Sequence, residues 1–187
     1  MPKLTQVKET KRGRYALFFD GEFAFSLDED TFAMAGLHTG DELEEWQIHD
    51  LQTKSDTRKA VDKAMDLLAL RDHAAGELYQ KLCRSFDPHS AAAAVAKMQE
   101  LNLLDDAGFA RRRAAELLRK RKSRRAILDD LHAKGIDRGA AAEAVETLFA
   151  QSEEDEEENP ELANARALVE RHYAAKLAQG KWQQVAA

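Results

Sequence analysis

The side chains best suited to chemistry in this 187-residue chain are the basic residues of one short segment. Nine of the fifteen positions between Arg111 and Arg125 are basic, and Glu116 is the only acid among them. The nine are Arg111, Arg112, Arg113, Arg119, Lys120, Arg121, Lys122, Arg124 and Arg125. Guanidinium groups bind phosphate or carboxylate through paired hydrogen bonds, so this segment predicts a surface for nucleic acid or an acidic protein. A solvated helix face is the simpler interpretation, but such faces usually mix charges of both signs.

Helical spacing predicts that the basic segment begins on a helix with one apolar side. That stripe consists of Ala107, Ala110, Ala114, Leu117 and Leu118. Arg112, Arg119 and Lys120 point away from it, which leaves their charges available for a partner. Phe109 lies on another face of this helix, and we expect it to pack against the preceding helical unit rather than to stack on a base.

Residues for catalysis or metal binding are sparse. Asp105 and Asp106 stand at the start of a helix, where adjacent acids usually cap free amides. Cys83 has no histidine or aspartate near it in the sequence, which favours a buried, inert thiol. The six histidines do not cluster at ligand spacing, and no glycine-rich phosphate loop is present. We therefore expect no enzymatic activity, no metal and no cofactor.

The composition favours a mainly α fold. Alanine is abundant, aromatic residues make up only 7% of the chain, and there are three prolines. The single cysteine excludes an internal disulfide, and no apolar run approaches the length of a membrane span. The net charge of −6 conceals a basic middle, because residues 58–150 carry 18 basic and 14 acidic groups between two acidic flanks. These features predict a cytoplasmic protein that does not bind a membrane.

Residues 1–53 predict a small β-rich module. Two weakly alternating runs, at 4–9 and 14–19, are followed by Asp20-Gly21 and a third apolar run, which is a strong signal for a β-hairpin. A short helix should follow, capped by Ser26 or Asp28 and ended by Gly36. Residues 37–43 are expected to close the small sheet.

The period changes to a helical one from about Arg58, and a repeat becomes visible. Residues 58–104 and 105–150 each predict a three-helix unit. Three apolar positions of the first unit recur in the second at offsets of 49, 49 and 50; the pairs are Leu78 and Ile127, Leu82 and Leu131, and Val95 and Val145. Residues 151–161 predict an acidic linker and 162–187 a partial third unit. The expected fold is thus mainly α, an elongated, curved array of tandem three-helix units behind a small hairpin-containing module.

Three sequence motifs resemble those of the RecX family of bacterial recombination regulators. They are Arg71-x5-Glu77-Leu78-x-x-Lys81-Leu82, Leu101-Asn-Leu-Leu-Asp-Asp-Ala-Gly-Phe-Ala110 and Leu131-His-Ala-Lys-Gly-Ile-Asp137. Their order and spacing carry the resemblance, which extends over essentially the whole chain. The hairpin module is similar to one found in some family members. At two positions this chain differs from the family: Ala74 replaces a Ser or Thr cap, at an expected local cost of about 1 kcal/mol, and Ser85 replaces a turn glycine.

The resemblance implies a monomeric, non-catalytic protein that binds RecA and the RecA–DNA filament and lowers ATP hydrolysis, strand exchange and coprotease activity. Such a protein would act in DNA repair and the SOS response. On this interpretation the basic segment contacts DNA phosphates, acidic RecA surface, or both, and it could also bind single- or double-stranded DNA directly. Two alternatives stay open: a helical nucleic-acid-binding protein independent of RecA, and a scaffold whose basic face docks an acidic partner.

Overall fold

The computed structural model describes residues 1–11, 13–155 and 160–178. Three strands and eight helices follow one another in this part of the chain. They are β1 (Leu4–Glu9), β2 (Arg14–Phe19), β3 (Glu22–Asp28), α1 (Glu29–Ala35), α2 (Glu45–Leu70), α3 (Ala75–Leu82), α4 (Pro88–Glu100), α5 (Asp106–Arg119), α6 (Arg124–Ala133), α7 (Arg138–Asp155) and α8 (Pro160–Ala178). The predicted mainly α fold with a small β-containing module is confirmed.

The N-terminal strands form one antiparallel sheet in the order β1-β2-β3. The turn between β2 and β3 uses positive φ at both Asp20 (50°) and Gly21 (87°), as a type I′ turn requires, so the predicted hairpin is correct. α1 begins at the cap Asp28, whose carboxylate accepts from the amide of Thr31, and ends at Gly36 in the left-handed region. The segment after α1 contributes only an isolated bridge between Lys3 and Glu42.

The start of α2 differs from the prediction, because this helix begins at Glu45 rather than near Arg58. Its first turns do contain apolar residues, but eight consecutive polar residues at 52–59 separate them from the apolar period that resumes at Ala60, and this gap hides the start of the helix from a search for apolar repeats. A reciprocal cap between Glu44 and Gln47 starts the helix, and Leu51 joins the core under the sheet. Further along, the hydroxyl of buried Ser55 donates to the carbonyl of Ser26 at 2.6 Å, which ties α2 to β3.

The predicted tandem repeat is present in the helices. All six positions matched between the two units are buried, with relative exposures of 9% or less. They are Leu78, Leu82, Val95, Ile127, Leu131 and Val145. Asp87 caps α4 with Pro88 in its first turn, as predicted. Ser85 is not among the residues with positive φ, so the turn after α3 does not need the glycine that is common in the family.

The chain separates into two compact units. One consists of Met1–Asp72 and Leu78–Leu104, and the other of His73–Glu77 and Asp105–Ala187. α7 extends to Asp155, so it enters the acidic run that was predicted as a linker. The rest of that run, at 156–158, and the predicted helix beginning at Gly180 lie outside the described residues. The division into five sequence segments therefore stays a prediction.

The second unit contains the first turn of α3. The side chain of Asp106, in the first turn of α5, accepts a hydrogen bond of 2.8 Å from the amide of Ala75. This bond satisfies one of the free amides at the start of α3, and the expected cost at Ala74 stays a prediction. Ala74 itself is fully buried in the core of the second unit.

Two glycines bring the same turn close to the loop between α6 and α7. A Cβ on Gly76 would lie 2.6 Å from the Cα of Gly135, which is closer than real Cβ atoms approach backbone. Beside this contact, the Lys134 ammonium lies 3.0 Å from the nearly buried carboxylate of Glu77. Residues of the sequence motifs at 77 and 134–135 therefore make packing contacts within the second unit.

Candidate nucleic-acid interface

The basic segment covers the end of α5, the turn after it and the start of α6. The buried side of α5 is formed by Phe109, Ala110, Ala114 and Leu117, which face the core of the second unit. This stripe differs from the predicted one at Ala107, which is exposed. Phe109 was expected to pack against the preceding helical unit. It is 8% exposed and belongs to the core of its own unit, so it is a packing residue.

Arg113 is committed to an ion-pair network inside the second unit. Its Nε and Nη2 donate to the two carboxylate oxygens of Asp130 on α6 at 2.8 and 2.9 Å, and its Nη1 donates to Glu116 at 2.9 Å. The paired hydrogen bonds to Asp130 raise the pKa of Arg113 and lower the pKa of that carboxyl. This residue therefore joins α5 to α6 and is poorly placed to contact a partner.

Arg124 has a similar internal role at the start of α6. Its Nη1 donates to Glu146 on α7 at 2.9 Å, and its guanidinium lies 4.8 Å from the centre of the Phe149 ring. A cation over an aromatic face is a favourable contact. Arg124 thus connects α6 to α7, and its half-buried side chain covers part of the apolar core.

Three further cations are exposed but have an acid nearby. Lys120 donates to Glu116, and together with Arg113 it lowers the pKa of that carboxyl. Arg112 lies 4.0 Å from Asp105, and Arg125 lies 4.0 Å from Asp129. Pairs this open to solvent contribute little to stability and exchange readily for another anion.

The side chains of the remaining four basic residues are exposed and have no hydrogen-bond or ion-pair partner among the described residues. We call them the unpaired set; it consists of Arg111, Arg119, Arg121 and Lys122. Arg111 lies eight residues before Arg119, or about 12 Å along the helix axis. Arg119, Arg121 and Lys122 lie within four consecutive positions. An array of this length suits a polyanion with several phosphates better than a single small anion.

The turn that carries three of these cations has an unusual backbone. Arg121 has φ 58°, and the amides of Arg121 and Lys122 donate to the carbonyls of Leu118 and Leu117 at 2.8 and 3.0 Å. These bonds end a helix with one residue in the left-handed region, a position that glycine or asparagine normally fills. The corresponding residue after α6 is Gly135. After α4 it is Asn102.

Other sequence candidates are structural. Asp105 caps α5 by accepting from the amide of Gly108 at 2.8 Å, as predicted. Cys83 is only half-buried, so the expectation of a buried thiol is wrong; it interacts with the hydroxyl of Tyr79, and this contact raises the pKa of the tyrosine. Among the described residues, no group of three or more His, Cys, Asp or Glu is arranged to hold a metal ion.

Sequence reasoning missed the division of the basic segment into paired and unpaired residues. Partial signals existed: Glu116 lies three residues after Arg113 and four before Lys120, both favourable helical spacings. The partners Asp130 and Glu146 come from other helices and could not be assigned before the packing of α5, α6 and α7 was known.

Comparison with known proteins agrees with this fold and with the sequence motifs. No family model matches the chain. Regulatory protein RecX of Lactobacillus gasseri is 31% identical over 95% of this chain and 64% of its own length. Regulatory protein RecX of Caldanaerobacter subterraneus is 27% identical over 80% of this chain and 77% of its own length. A crystal structure of regulatory protein RecX superposes with a TM-score of 0.66 at 21% identity and covers 99% of this chain and 90% of that one.

The chain is similar to proteins of the RecX family over most of its length, in sequence and in fold. It spans between about half and three quarters of the length of the curated RecX relatives it matches. These relatives are named as regulatory proteins. Within the described residues, none of the helices is both long enough and apolar enough to cross a membrane.

Proposed function

We propose that this RecX-like chain is a non-catalytic regulator of RecA, and that its unpaired set contacts phosphates of the RecA–DNA filament. The observation that carries the proposal is four exposed cations, crowded into twelve residues, that no acid of the described chain neutralises. On this proposal the protein lowers the ATPase, recombinase and coprotease activities of RecA in the cytoplasm during DNA repair and the SOS response. The regulatory names of its relatives support this assignment.

Phosphate is favoured as the contacted group because the unpaired set has several like charges over a short distance. A polyanion surrounded by condensed counterions gains entropy when such cations replace those ions. Arg111, Arg119 and Arg121 also have the planar donor groups that fit phosphate oxygens.

The paired cations have a supporting role in this proposal. Arg113 connects α5 to α6 and Arg124 connects α6 to α7, so the backbone that carries the unpaired set is held on three packed helices. Rigid support of this kind lowers the entropy lost when the partner binds. The exposed pairs of Arg112, Lys120 and Arg125 are proposed as secondary contacts that exchange their acid for a phosphate.

The decisive experiment reverses the unpaired set to glutamate in the full chain and measures RecA-dependent ATP hydrolysis on single-stranded DNA. We expect loss of inhibition together with weaker binding to the RecA–DNA filament. If all four cations contact single-stranded phosphates, the slope of log affinity against log salt should fall by about 3 in magnitude. Reversal leaves the packed side of α5 unchanged, so the urea unfolding midpoint should stay close to that of the unmodified chain.

A matched control reverses four exposed basic residues of the first unit, which likewise have no partner among the described residues. They are Lys8, Lys11, Lys63 and Arg84. This variant has the same net charge as the test variant, so it separates a local contact from a general charge effect. Unchanged inhibition in the test variant, or equal loss in both variants, would contradict the assignment of this surface.

Direct binding to nucleic acid without RecA is the second candidate function. It is favoured by the exposure of the unpaired set, because phosphate contact by these cations needs no second protein. Fluorescence anisotropy of labelled single- and double-stranded DNA distinguishes the two proposals. Affinity that is equal with and without RecA supports the second candidate, whereas binding that needs the filament supports the first.

A further inference from the structure

A groove in the first unit lies between the segment after α1 and the start of α2. It has a volume of about 430 Å³. The floor includes Leu43 and Leu51, which are buried in the core beneath the sheet, and the wall includes the half-buried Leu37. The volume is sufficient for one or two apolar side chains of a partner.

Trp46 stands at the rim of this groove with 69% of its surface exposed. Its ring is not needed to close the core of the unit, because Leu43 and Leu51 already do so. An exposed indole beside an apolar groove is typical of a protein contact, since its large face covers a partner at low cost in conformational entropy. It also offers an electron-rich face to a cation.

Among the described residues, every charged one that lines the groove is acidic: Asp41, Glu42 and Asp50. The surrounding sequence has the same character, because the chain between Tyr15 and Thr53 contains ten Asp or Glu and no Lys or Arg. Asp41 caps the local turn by accepting from the amide of His38, and Asp50 is paired with Lys54 at the surface. The carboxylate of Glu42 is exposed and has no hydrogen-bond or ion-pair partner among the described residues, while the backbone of Glu42 forms the bridge to Lys3.

This charge excludes the polyanion proposed for the second unit, because phosphates would be repelled from the groove. We propose that the groove binds a basic segment of a partner protein, with an apolar side chain on the leucine floor and flanking Lys or Arg beside Trp46 and Glu42. The molecule then has two contact surfaces of opposite charge, one for phosphate and one for polypeptide. The proposal rests on the groove alone and does not depend on the function proposed for the unpaired set.

The test follows the fluorescence of Trp46 in the full chain. The protein has two tryptophans, so the Trp182→Phe variant leaves Trp46 as the only indole. The probe is a nine-residue peptide with a central leucine between Lys and Arg residues, blocked at both ends. One comparison peptide has serine for leucine, and another has glutamates for the basic residues. We expect a saturable change in emission with the first peptide, at least tenfold weaker binding of the serine peptide, and none of the acidic one.

Charge-matched variants locate the contact. Glu42→Lys with Asp50→Lys should weaken binding of the leucine peptide at least tenfold. Glu22→Lys with Asp30→Lys makes the same change of charge at exposed acids that do not line the groove, and it should have less than a threefold effect. Binding of labelled peptide to Trp46→Ala, compared with Met34→Ala at an exposed position that does not line the groove, tests the indole itself.

Three outcomes would overturn this proposal. The first is no saturable binding of the leucine peptide to a folded chain, and the second is equal binding of the leucine and serine peptides. The third is a change in Trp46 emission that depends on protein concentration without any peptide and disappears when the unpaired set is reversed to glutamate. That result would mean that the groove binds the basic residues of a second copy of this chain. Far-UV circular dichroism and urea midpoints confirm that each variant is folded.

Discussion

The two sides of the basic segment use the same residue types for different purposes. On the inner side, Arg113 and Arg124 are surrounded by Asp130, Glu146 and an aromatic ring, and they join three helices. On the outer side, the four residues of the unpaired set have no partner among the described residues. The difference teaches that a count of basic residues overstates an interface, because part of the charge is used within the fold. Variants of single residues can test where the boundary between the two sides lies.

The largest effect is expected from Arg113→Leu. It leaves Asp130 half-buried without its paired donor, so the free energy of unfolding should fall by about 1–2 kcal/mol, allowing for partial solvent exposure. Urea denaturation measures the change, and Arg119→Leu on the outer side should stay within about 0.5 kcal/mol of the unmodified chain. Equal losses in the two variants would remove the distinction between inner and outer cations.

The same variant predicts a dependence on pH. The pKa of Asp130 is lowered in the folded chain, chiefly by its hydrogen bonds to Arg113, so the pair stabilises the fold above the unfolded pKa of about 4. This stabilisation is lost as pH falls through the lower folded pKa. The difference in urea midpoint between the unmodified chain and Arg113→Leu should therefore be full at pH 7 and shrink towards pH 2. A difference that is constant across this range would mean that Arg113 acts through packing rather than through charge.

A smaller effect of opposite sign is expected from Arg121→Gly. Glycine relieves the left-handed backbone but loses more entropy on folding, so the net gain in unfolding free energy should be about 0.5 kcal/mol. The lost charge should lower the salt slope of duplex DNA binding by about 0.9 if this side chain contacts a phosphate. Asn102→Gly is the control, because asparagine already tolerates this conformation. An unchanged salt slope would place Arg121 outside the interface. An unchanged unfolding free energy would mean that the left-handed backbone at this position costs arginine no more than glycine.

An effect of similar size but destabilising is expected from Arg124→Gln. Its partner Glu146 is 70% exposed, so solvent screens the pair, and the loss of unfolding free energy should be about 0.5 kcal/mol. Thermal or urea unfolding can resolve this value against Arg113→Leu. A loss as large as that of Arg113→Leu would show that the contact with the Phe149 ring dominates at this position.

Much of the fold could be predicted because its signals are local. The Asp20-Gly21 turn, the Asp87-Pro88 helix start and the repeated apolar positions each depend on neighbouring residues, and each is present. The start of α2 was missed because the polar run at 52–59 interrupts the apolar period between its first turns and Ala60. The hydrogen bond from the Ala75 amide to Asp106 could not be predicted, since the acceptor lies on another helix.

The candidate site was predictable only as a set of charges. Clustering along the chain identifies all nine basic residues, because charge is visible in the sequence. Which of them are paired depends on the distance between helices, and those distances follow from the packing of the apolar side of α5 against α6 and α7. The left-handed conformation of Arg121 also had no signal, since arginine is not a usual residue at such a helix end.

The cap of α3 by Asp106 has a consequence for the order of events during protein synthesis. The acceptor for the Ala75 amide lies 31 residues further along the chain, and Gly135, the surface for Gly76, is made later still. A nascent chain that has only reached residue 104 therefore lacks the acceptor for the Ala75 amide. Both contacts of the first turn of α3 become available only after α5 and then the loop after α6 have been synthesised, although the turn itself comes earlier in the chain.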